Sequence, residues 1–526
     1  MPEISGVKPL RKYAPYGLFI ELPTELVERL RLEEAVASEA ERPRTMLPSR
    51  VAEQVLEQRT REYAQSVRAR LAAGIEVAVQ ESVWAAKPGN VGRYRVLMVL
   101  PMQERVLLRA LVGDLGADAP TPDRSDKAFT AFQTAPVEAR HDHIAVADVA
   151  AFYFFIDHQL LESRIVEASA RADTAEAIRA VLTGLSERQY GLPQNFAPSD
   201  ALSDLYISWV ERRLIRRGIA TYRHNDDFRL GTDTWGEALQ ALELLGHELA
   251  LIGLDLNAEK SWILGREKYE SHLGLANEMF QEALPADFPD VDSYTGEPIE
   301  PDPDFEMPSD EEMALVGTTL FEAAAERRLA DERQNGFELR ATRELLNTGL
   351  LLLRVTESPA ALDLGARVVA VDPAMAHIYA TYLSALAAGD KAAETSDRIL
   401  DVLKNFQGYA PAWVQAWLIN PLLAAGAGLS APAVDWLRVF LGGPAPAVLR
   451  VRAALALAAH RQIDLDELAM LFDALPPAAR PDLVAAIAFL EPGVSDRRVR
   501  AVVESEHLYR WVFEFGTART NDYSWV

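Results

Sequence analysis

Large apolar residues alternate with alanine along a short segment in the first third of the chain. Ile144 and Val146 hold alternate apolar positions, and the run ends at Asp148. Alternation with a period of two is typical of a β-strand whose two faces meet different surroundings. The pattern therefore predicts a strand that delivers the carboxylate of Asp148 to the edge of a sheet.

A second short segment, residues 222–230, has the adjacent pair Asp226 and Asp227 in its middle. This pattern predicts a tight hairpin that can bring the pair beside Asp148. Two Mg²⁺ ions roughly 3.5–4 Å apart, held by carboxylates, can activate an attacking hydroxyl and hold a leaving pyrophosphate. Either segment alone is a weak signal, because an Asp-Asp turn is more often a solvated bend.

From about Glu312 onward, Ala and Leu recur at helical spacing. The pattern predicts helices of roughly ten to sixteen residues joined by short loops. Such helices stack as antiparallel pairs, either in a HEAT-like α-solenoid or in a plain helical bundle. The breaks between them are Ser358-Pro359, Asp372-Pro373, Ala410-Pro411, Ala431-Pro432, Pro444 to Pro446, Pro476-Pro477 and Glu491-Pro492-Gly493.

An acidic, proline-rich segment between Leu284 and Met313 separates two compositions. Its prolines oppose a helix and its charges repel, so we interpret it as a linker or a surface excursion. A chain of 526 residues is also too long for one ordinary core. We therefore predict a first domain at residues 1–280, a linker at 281–314 and a helical domain at 315–526.

The composition excludes several classes of protein. The absence of cysteine rules out disulfides, a thiol nucleophile and a Cys-based zinc site. The N-terminus lacks the charged-then-apolar pattern of a secretion signal, and no apolar run is long enough to cross a bilayer. We therefore expect a cytoplasmic protein that does not associate with membranes.

The formal net charge of −25 argues against a simple nucleic-acid binder. Basic residues nevertheless cluster locally at helical spacing, which predicts a local phosphate-binding channel, with a solvated helix face as the alternative. These residues are Arg93, Arg95, Arg105, Arg109, Arg212, Arg213, Arg216 and Arg217.

Three further segments accompany the aspartates in a fixed order. Residues 87–96 precede Asp148, residues 191–199 lie between the aspartates, and residues 253–261 follow with His272-Leu273-Gly274. In this order and spacing the chain resembles reverse transcriptases over roughly residues 60–275. The resemblance implies an α+β right-hand polymerase fold with fingers and palm, followed here by an all-α helical-repeat domain.

The resemblance implies the metal site. Asp148 and Asp226 are the expected ligands of Mg²⁺, with Mn²⁺ as an alternative. Asp227 is a nearby ligand, and the carbonyl of Val149 completes one shell. Lys260 matches the lysine that protonates the leaving pyrophosphate.

The resemblance also implies a nucleotide site. Tyr153 matches the aromatic residue under the incoming sugar, where a 2′-hydroxyl would clash, so deoxynucleotides are favoured. Gln194 matches a residue that contacts the incoming nucleotide, and Lys87 and Arg95 match positions that meet its triphosphate. Simple surface solvation is the alternative for lone basic residues such as Lys87, Arg95 and Lys260.

Two positions depart from the common family pattern. His224 replaces an aromatic residue before the aspartate pair, where packing is its expected role. Asn195 replaces a glycine, which we expect to remove conformational freedom. With the helical half, these departures resemble the bacterial abortive-infection and defence-associated branch. That branch implies anti-phage defence, homo-oligomers, dNTP substrates, a DNA product and synthesis without a conventional template, although an RNA template or noncoding RNA stays open.

Two other hypotheses remain. In the first, the palm is a catalytically degenerate scaffold and the helical half is an interaction module. Carboxylates that no metal ion compensates argue against this hypothesis. An RNA-synthesising polymerase is disfavoured by Tyr153. If a protein hydroxyl primes synthesis, Tyr13 and Tyr16 are the candidates near the N-terminus, where mobile segments concentrate; ordinary surface tyrosines are the alternative.

Overall fold

The computed structural model describes most of the chain. Tyr13 and Tyr16, residues 88–93 with the candidate Arg93, and residues 284–308 of the acidic segment lie outside the described residues. The described residues are 18–41, 46–87, 94–116, 120–186, 188–283, 309–330, 336–388, 392–405, 410–425 and 428–519.

Strands are confined to the first half of the described chain. A four-stranded antiparallel sheet has the order β6-β7-β5-β8, and the pairs β1-β2 and β3-β4 form separate two-stranded sheets. The predicted strand ending at Asp148 and the predicted hairpin are both confirmed, as β5 and as β6-β7. The strands are β1 (Leu18–Ile20), β2 (Ile75–Val77), β3 (Ser82–Ala86), β4 (Tyr94–Met98), β5 (His143–Asp148), β6 (Ala220–His224), β7 (Asp227–Thr232) and β8 (Trp262–Gly265).

Helices cover both faces of the four-stranded sheet. The face that carries Ala145 and Phe228 is buried in the main core, where the sheet packs against α11 (Trp235–Ala250). The opposite face carries Ile144 and Val146, which form a second cluster with Tyr269.

The remaining helices of this half are α1 (Thr24–Arg29), α2 (Leu32–Glu41), α3 (Val51–Leu56), α4 (Thr60–Ala72), α5 (Met102–Asp114), α6 (Asp126–Glu138), α7 (Phe152–Phe155), α8 (His158–Ser169), α9 (Ala172–Ser186), α10 (Ala197–Arg216) and α12 (Arg266–Ala283).

The second half of the chain is helical and forms two rows. The even-numbered helices α14 to α24 pack each against the next, and odd-numbered helices flank them. Nearly all side chains of α18, α20 and α22 are buried, so these helices form an inner row. Such stacking is expected of a helical-repeat solenoid rather than of a single bundle. The helices are α13 (Asp310–Ala330), α14 (Gly336–Val355), α15 (Leu362–Val371), α16 (Ala376–Ala388), α17 (Ala392–Asn405), α18 (Ala412–Leu423), α19 (Ala431–Leu441), α20 (Ala447–Ala459), α21 (Leu465–Ala474), α22 (Arg480–Leu490), α23 (Arg497–Ser505) and α24 (His507–Ala518).

Two helices are longer than the sequence pattern predicts. α13 has 21 residues and α14 has 20, so the predicted upper limit of sixteen is wrong for this pair. α13 begins right after Ser309, whose hydroxyl accepts from the N–H of Glu312 at 3.3 Å while the Glu312 carboxylate accepts from the Ser309 N–H at 2.8 Å. Gly317 and Gly349 allow close packing, because a Cβ on either would lie 2.9 Å from an atom of the other helix.

The helical half packs back onto the N-terminal helices. α22 and α24 contact α3, and β3 rests against α18. The indole N–H groups of Trp413 and Trp417 donate to the carbonyl of Met46 at 2.7 and 2.9 Å. The backbone N–H of Ala447 donates to the carboxylate of Glu81 at 2.8 Å. These contacts join the helical half to the N-terminal helices and to β3, which with its partner β4 belongs to the predicted fingers.

Buried charges reinforce the N-terminal region. Glu39 is fully buried in α2 and accepts hydrogen bonds from Arg105 and Arg109 of α5, with Arg109 Nη2 at 2.6 Å. The prediction that Arg105 and Arg109 line a phosphate channel is therefore wrong. Both guanidinium groups serve the core of the fold instead.

The prediction for the arginines of α10 fails in part for the same reason. Arg213 and Arg217 both pair with the buried carboxylate of Glu248, with Arg217 Nη2 at 3.1 Å. Arg212 and Arg216 are exposed, as expected for a solvated face. In the described part of the chain no helix is both long and apolar enough to cross a membrane.

Candidate active site

Three carboxylates meet at one end of the four-stranded sheet. Asp148 ends β5 and lies opposite Asp227, the first residue of β7, in the strand register. Asp226 lies between β6 and β7 in a two-residue turn with Asn225, whose φ of 60° is a left-handed conformation that asparagine tolerates. The N–H of Val149 donates to the carbonyl of Asp226 at 3.1 Å and fixes the turn against β5. Asp148, Asp226 and Asp227 are thus brought together as predicted.

The carboxylates are crowded enough to change their protonation. Burial, together with the charges of Asp227 and Asp148, raises the pKa of Asp226 to about 7. Burial and the charge of Asp148 also raise the pKa of Asp227, which Arg229 and Lys260 oppose. The site therefore carries more negative charge than its surroundings balance.

Lys260 neutralises part of this charge. Its Nζ lies 2.9 Å from Oδ1 of Asp148, and the side-chain amide of Asn257 donates to Oδ2 at 2.9 Å. Asp148 itself is 7% exposed, whereas the Lys260 side chain is 47% exposed and has room to move. Both oxygens of Asp148 therefore already accept hydrogen bonds from the chain.

The donor set fits a divalent cation of the hard, oxygen-binding type. Three carboxylates converge, and burial together with their mutual repulsion raises the pKa of Asp226, as expected where a cation would be favourable. As they stand, no three His, Asp or Glu side chains among the described residues are arranged so that they could hold a metal ion. Lys260 would have to leave Asp148 before the set could close around a cation.

Tyr153 belongs to the same cluster. It lies in α7, and its hydroxyl donates to Oδ1 of Asp200 at 2.6 Å and lies 3.3 Å from Oδ1 of Asn225. Arg124 donates to the same Asn225 oxygen at 2.9 Å. Burial and the Asp200 carboxylate raise the pKa of the Tyr153 hydroxyl, so it stays protonated. The tyrosine is thereby joined to the turn between β6 and β7.

Sequence interpretation missed the partners of Tyr153. Asn225 could have been predicted from the sequence, because it directly precedes the aspartate pair in a predicted turn. Asp200 follows the Pro198-Ser199 helix start and gives no signal of its own, because its partner is 47 residues away. Arg124 lies in a connecting segment without a motif.

Gln194 lies in the loop that leads into α10. It lines a small pocket with Met46, Met98 and Phe196, between β4 and the start of the helix. Asn195 has a φ of 57°, the left-handed conformation that glycine adopts easily. Asparagine also tolerates this conformation, so Asn195 can replace a glycine here without a change of backbone.

Lys87 and Arg95 belong to the region of β3 and β4, which is close to the carboxylates. Lys87 follows β3, and Arg95 pairs with Ala85 across β3-β4. Burial lowers the pKa of Lys87, and Arg95 lowers it further, while Asp226 and Asp148 raise it. Lys87 is therefore within electrostatic range of both Arg95 and two of the site carboxylates.

The histidines near the site do not form a metal centre. His224 packs against Phe129 and Phe132 at ring-centroid distances of 5.2 and 5.8 Å, which confirms the expected packing role. His141 lies 3.1 Å from the Tyr222 hydroxyl. His143 lies 3.3 Å from the carbonyl oxygen of Asp233.

Comparison with known families identifies this region. Residues 85–276 match the family described as reverse transcriptase (RNA-dependent DNA polymerase). A search of curated proteins finds no significant match.

Two solved structures are similar to the chain, both of telomerase in complex with the TWJ fragment of telomeric RNA. The telomerase from Candida albicans has 14% identity and a TM-score of 0.24, and the match covers 59% of this chain and 56% of that chain. The telomerase from Candida tropicalis has 13% identity and a TM-score of 0.29, with 72% and 67% covered. The chain thus spans little more than half the length of the first of these relatives.

Proposed function

The chain carries a reverse transcriptase-type polymerase domain at residues 85–276, and we propose that this domain synthesises DNA. The reaction joins a deoxynucleotide to a 3′-hydroxyl or a protein hydroxyl and releases pyrophosphate. The convergence of Asp148, Asp226 and Asp227 at one sheet edge is the observation that carries the proposal. A scaffold without catalysis has no use for carboxylates that repel each other.

The cofactor in this proposal is Mg²⁺, with Mn²⁺ as an alternative. Asp148, Asp226 and Asp227 would hold it, with the carbonyl of Val149 as a further ligand. When bound, the ions lower the pKa of the attacking hydroxyl and balance the charge of the leaving pyrophosphate.

The other site residues act on the nucleotide in this proposal. Lys260 leaves Asp148 and donates a proton to the departing pyrophosphate, which its exposed side chain permits. Lys87 and Arg95 contact the triphosphate. Gln194, at the start of α10, contacts the nucleotide.

An incorporation assay with the purified protein tests which nucleotides are substrates and whether a template is needed. With Mg²⁺, each labelled dNTP and each labelled NTP are offered separately, with and without prior nuclease treatment and with and without added RNA. We expect incorporation of dNTPs that survives nuclease treatment, as synthesis without a conventional template requires. Incorporation only with added RNA would establish templated synthesis, and no incorporation under any condition would favour the scaffold alternative.

Tyr153 is expected to select the sugar. Tyr153→Ala removes the ring under the sugar and should raise the use of NTPs relative to dNTPs by about tenfold or more. The matched control is Tyr153→Phe, which keeps the ring and loses the hydroxyl with its hydrogen bonds to Asp200 and Asn225. The ratio of kcat/KM values for dATP and ATP measures the effect. Equal use of both nucleotides by the wild-type protein would show that Tyr153 is not a gate.

We further propose that the protein acts in anti-phage defence as a homo-oligomer of the abortive-infection type. The helical-repeat half, together with His224 and Asn195 at positions that differ from the common pattern, supports this branch. Cells that carry the wild-type chain should plate phage less efficiently than cells that carry Asp226→Asn/Asp227→Asn. Equal plating across a broad phage panel would remove the defence role and leave the polymerase proposal standing.

Protein priming gives a separate prediction. Tyr13 and Tyr16 lie outside the described residues, and their hydroxyls are the proposed primers. DNA product should stay attached to the polypeptide under denaturing conditions. Mass spectrometry of the nucleotide-linked peptide should identify Tyr13 or Tyr16 as the attachment site, and not Tyr523 near the other end of the sequence. Tyr13→Phe/Tyr16→Phe should abolish the attachment, with Tyr523→Phe as the control. Product that separates fully from the denatured protein would disprove priming by the chain.

A further inference from the structure

Helix α14 of the helical half reaches the catalytic hairpin. The guanidinium of Arg340 lies 4.6 Å from the ring of Phe129, and Phe129 packs at 5.2 Å against His224. His224 ends β6, one residue before the turn that carries Asp226. The first turns of α14 therefore form one wall beside the carboxylates.

Arg343 lies one turn further along the same helix, and its guanidinium group lacks a hydrogen-bond partner at Nε within the described chain. Its side chain is 18% exposed, and its Nε lies 3.4 Å from Oδ2 of Asp372 without forming a hydrogen bond to any described residue. Arg328 also approaches that oxygen, at 3.7 Å. Two largely buried guanidinium groups thus approach one buried carboxylate, and Arg343 Nε makes no hydrogen bond there.

A third guanidinium group, that of Arg95, comes from β4 in the fingers. Asp372 directly precedes the turn Pro373–Met375, which packs against β3. Arg95 lies on β4, paired across from β3, and is exposed. Burial lowers the pKa of Arg343, Asp372 raises it, and the nearby charges of Arg95 and Arg328 lower it further. Arg95 and Arg343 therefore act on each other although they belong to opposite halves of the chain.

This gathering of positive charge is unusual in a chain with a formal net charge of −25. Lys87 adds another cation within range of Arg95. Like charges held together at a partly buried site are stabilised by an anion, and the planar fork of arginine matches phosphate. Lys87 is also within electrostatic range of Asp226 and Asp148, which connects the cluster to the site carboxylates.

We propose that Arg343, together with Arg95, forms a phosphate-binding site between the helical half and the fingers. The inference rests on the proposed function, and the phosphate belongs to the incoming nucleoside triphosphate or to the growing DNA strand. The helical half is then part of the substrate-binding site and not only an interaction module.

Binding by the full-length protein without divalent metal tests the site, because no turnover occurs. Three probes are titrated: inorganic tripolyphosphate, a fluorescent dNTP and a fluorescent single-stranded oligodeoxynucleotide. Arg343→Gln and Arg95→Gln should each weaken at least one probe by about tenfold or more, as loss of a charged hydrogen bond does. Arg497→Gln, an exposed arginine at the start of α23, is the matched control and should stay within about twofold of wild type.

The probes distinguish the two sources of phosphate. Weaker binding of tripolyphosphate and dNTP assigns the site to the incoming nucleotide, and weaker binding of the oligonucleotide alone assigns it to the strand. Unchanged binding of all three probes by folded Arg343→Gln overturns the proposal. If that variant does not fold, Arg343→Lys decides, because it keeps the charge beside Asp372 but loses the fork. It should weaken binding by about threefold or more, and unchanged binding overturns the proposal.

Failure of the proposed function has a different signature. A wild-type protein that binds tripolyphosphate through Arg343 but incorporates no nucleotide would keep the phosphate site and remove the polymerase activity. A wild-type protein that incorporates dNTPs with no effect of Arg343→Gln on any probe would keep the polymerase and remove the site.

Discussion

Replacing Asp226 and Asp227 together by asparagine is expected to abolish nucleotide incorporation while the protein stays folded. The two carboxylates, with Asp148, are the proposed ligands, and asparagine has the same shape without the charge that binds a cation. The loss should be at least about a thousandfold, or roughly 4 kcal/mol of transition-state stabilisation. Incorporation of a labelled dNTP by matched amounts of both proteins measures it.

Thermal melting separates this loss from unfolding. Burial and mutual repulsion both disfavour the charged form of Asp226, and the double variant removes the two buried charges, so its melting temperature without metal should equal or exceed that of wild type. Added Mg²⁺ should raise the melting temperature of wild type only. Asp233→Asn, an exposed aspartate just beyond β7, serves as the control and should retain full activity. A fully active double variant would end the polymerase interpretation.

Glu39→Ala is expected to cause the largest loss of stability. Glu39 is fully buried and pairs with both Arg105 and Arg109. Its removal takes this carboxylate from Arg109 and leaves Arg105 with the more distant Glu53, at 3.8 Å. Removing one partner of a buried ion pair costs about 3–5 kcal/mol, and here the packing of α2 on α5 depends on it. Chemical denaturation followed by circular dichroism reports the change.

The matched control for this prediction is Glu33→Ala on the same helix. Glu33 is exposed in the first turn of α2, and its removal should change the free energy of unfolding by less than about 1 kcal/mol. If Glu39→Ala shifts the denaturation midpoint no more than Glu33→Ala does, the buried network does not stabilise the fold as argued.

The parts of the fold that follow local patterns were predictable. The strand before Asp148 and the hairpin around Asp226 depend on alternation and on turn residues, which are visible within a few positions of the sequence. The stacking of the second half follows from apolar spacing and proline breaks. In each case the information lies in residues that are close together in the chain.

The pairing of charged residues was not predictable. Arg105 and Arg109 have the spacing of a phosphate-binding helix face, yet their partner Glu39 lies 66 residues before Arg105. A single sequence gives no signal for such a pair, because many acidic residues are equally eligible. The same holds for Tyr153 with Asp200, and for Arg343 with Asp372.

Two details show how resemblance and geometry differ. The family pattern identifies Lys260, but only the structure places its Nζ on Asp148, where it acts as a counter-ion. The pattern also marks Asn195 as a departure, whereas its left-handed backbone keeps the glycine conformation. A residue type restricts what a position can do, and the surrounding structure decides which of these possibilities is used.

The central claim is that the carboxylate cluster transfers nucleotides. Its most direct test follows pyrophosphate release and labelled product in one reaction of purified wild-type protein with Mg²⁺ and a dNTP. The account predicts one pyrophosphate per nucleotide incorporated, and neither signal after Asp226→Asn/Asp227→Asn. Product that forms equally well in the double variant, or no product from the wild-type protein with any dNTP, template or metal, would contradict it.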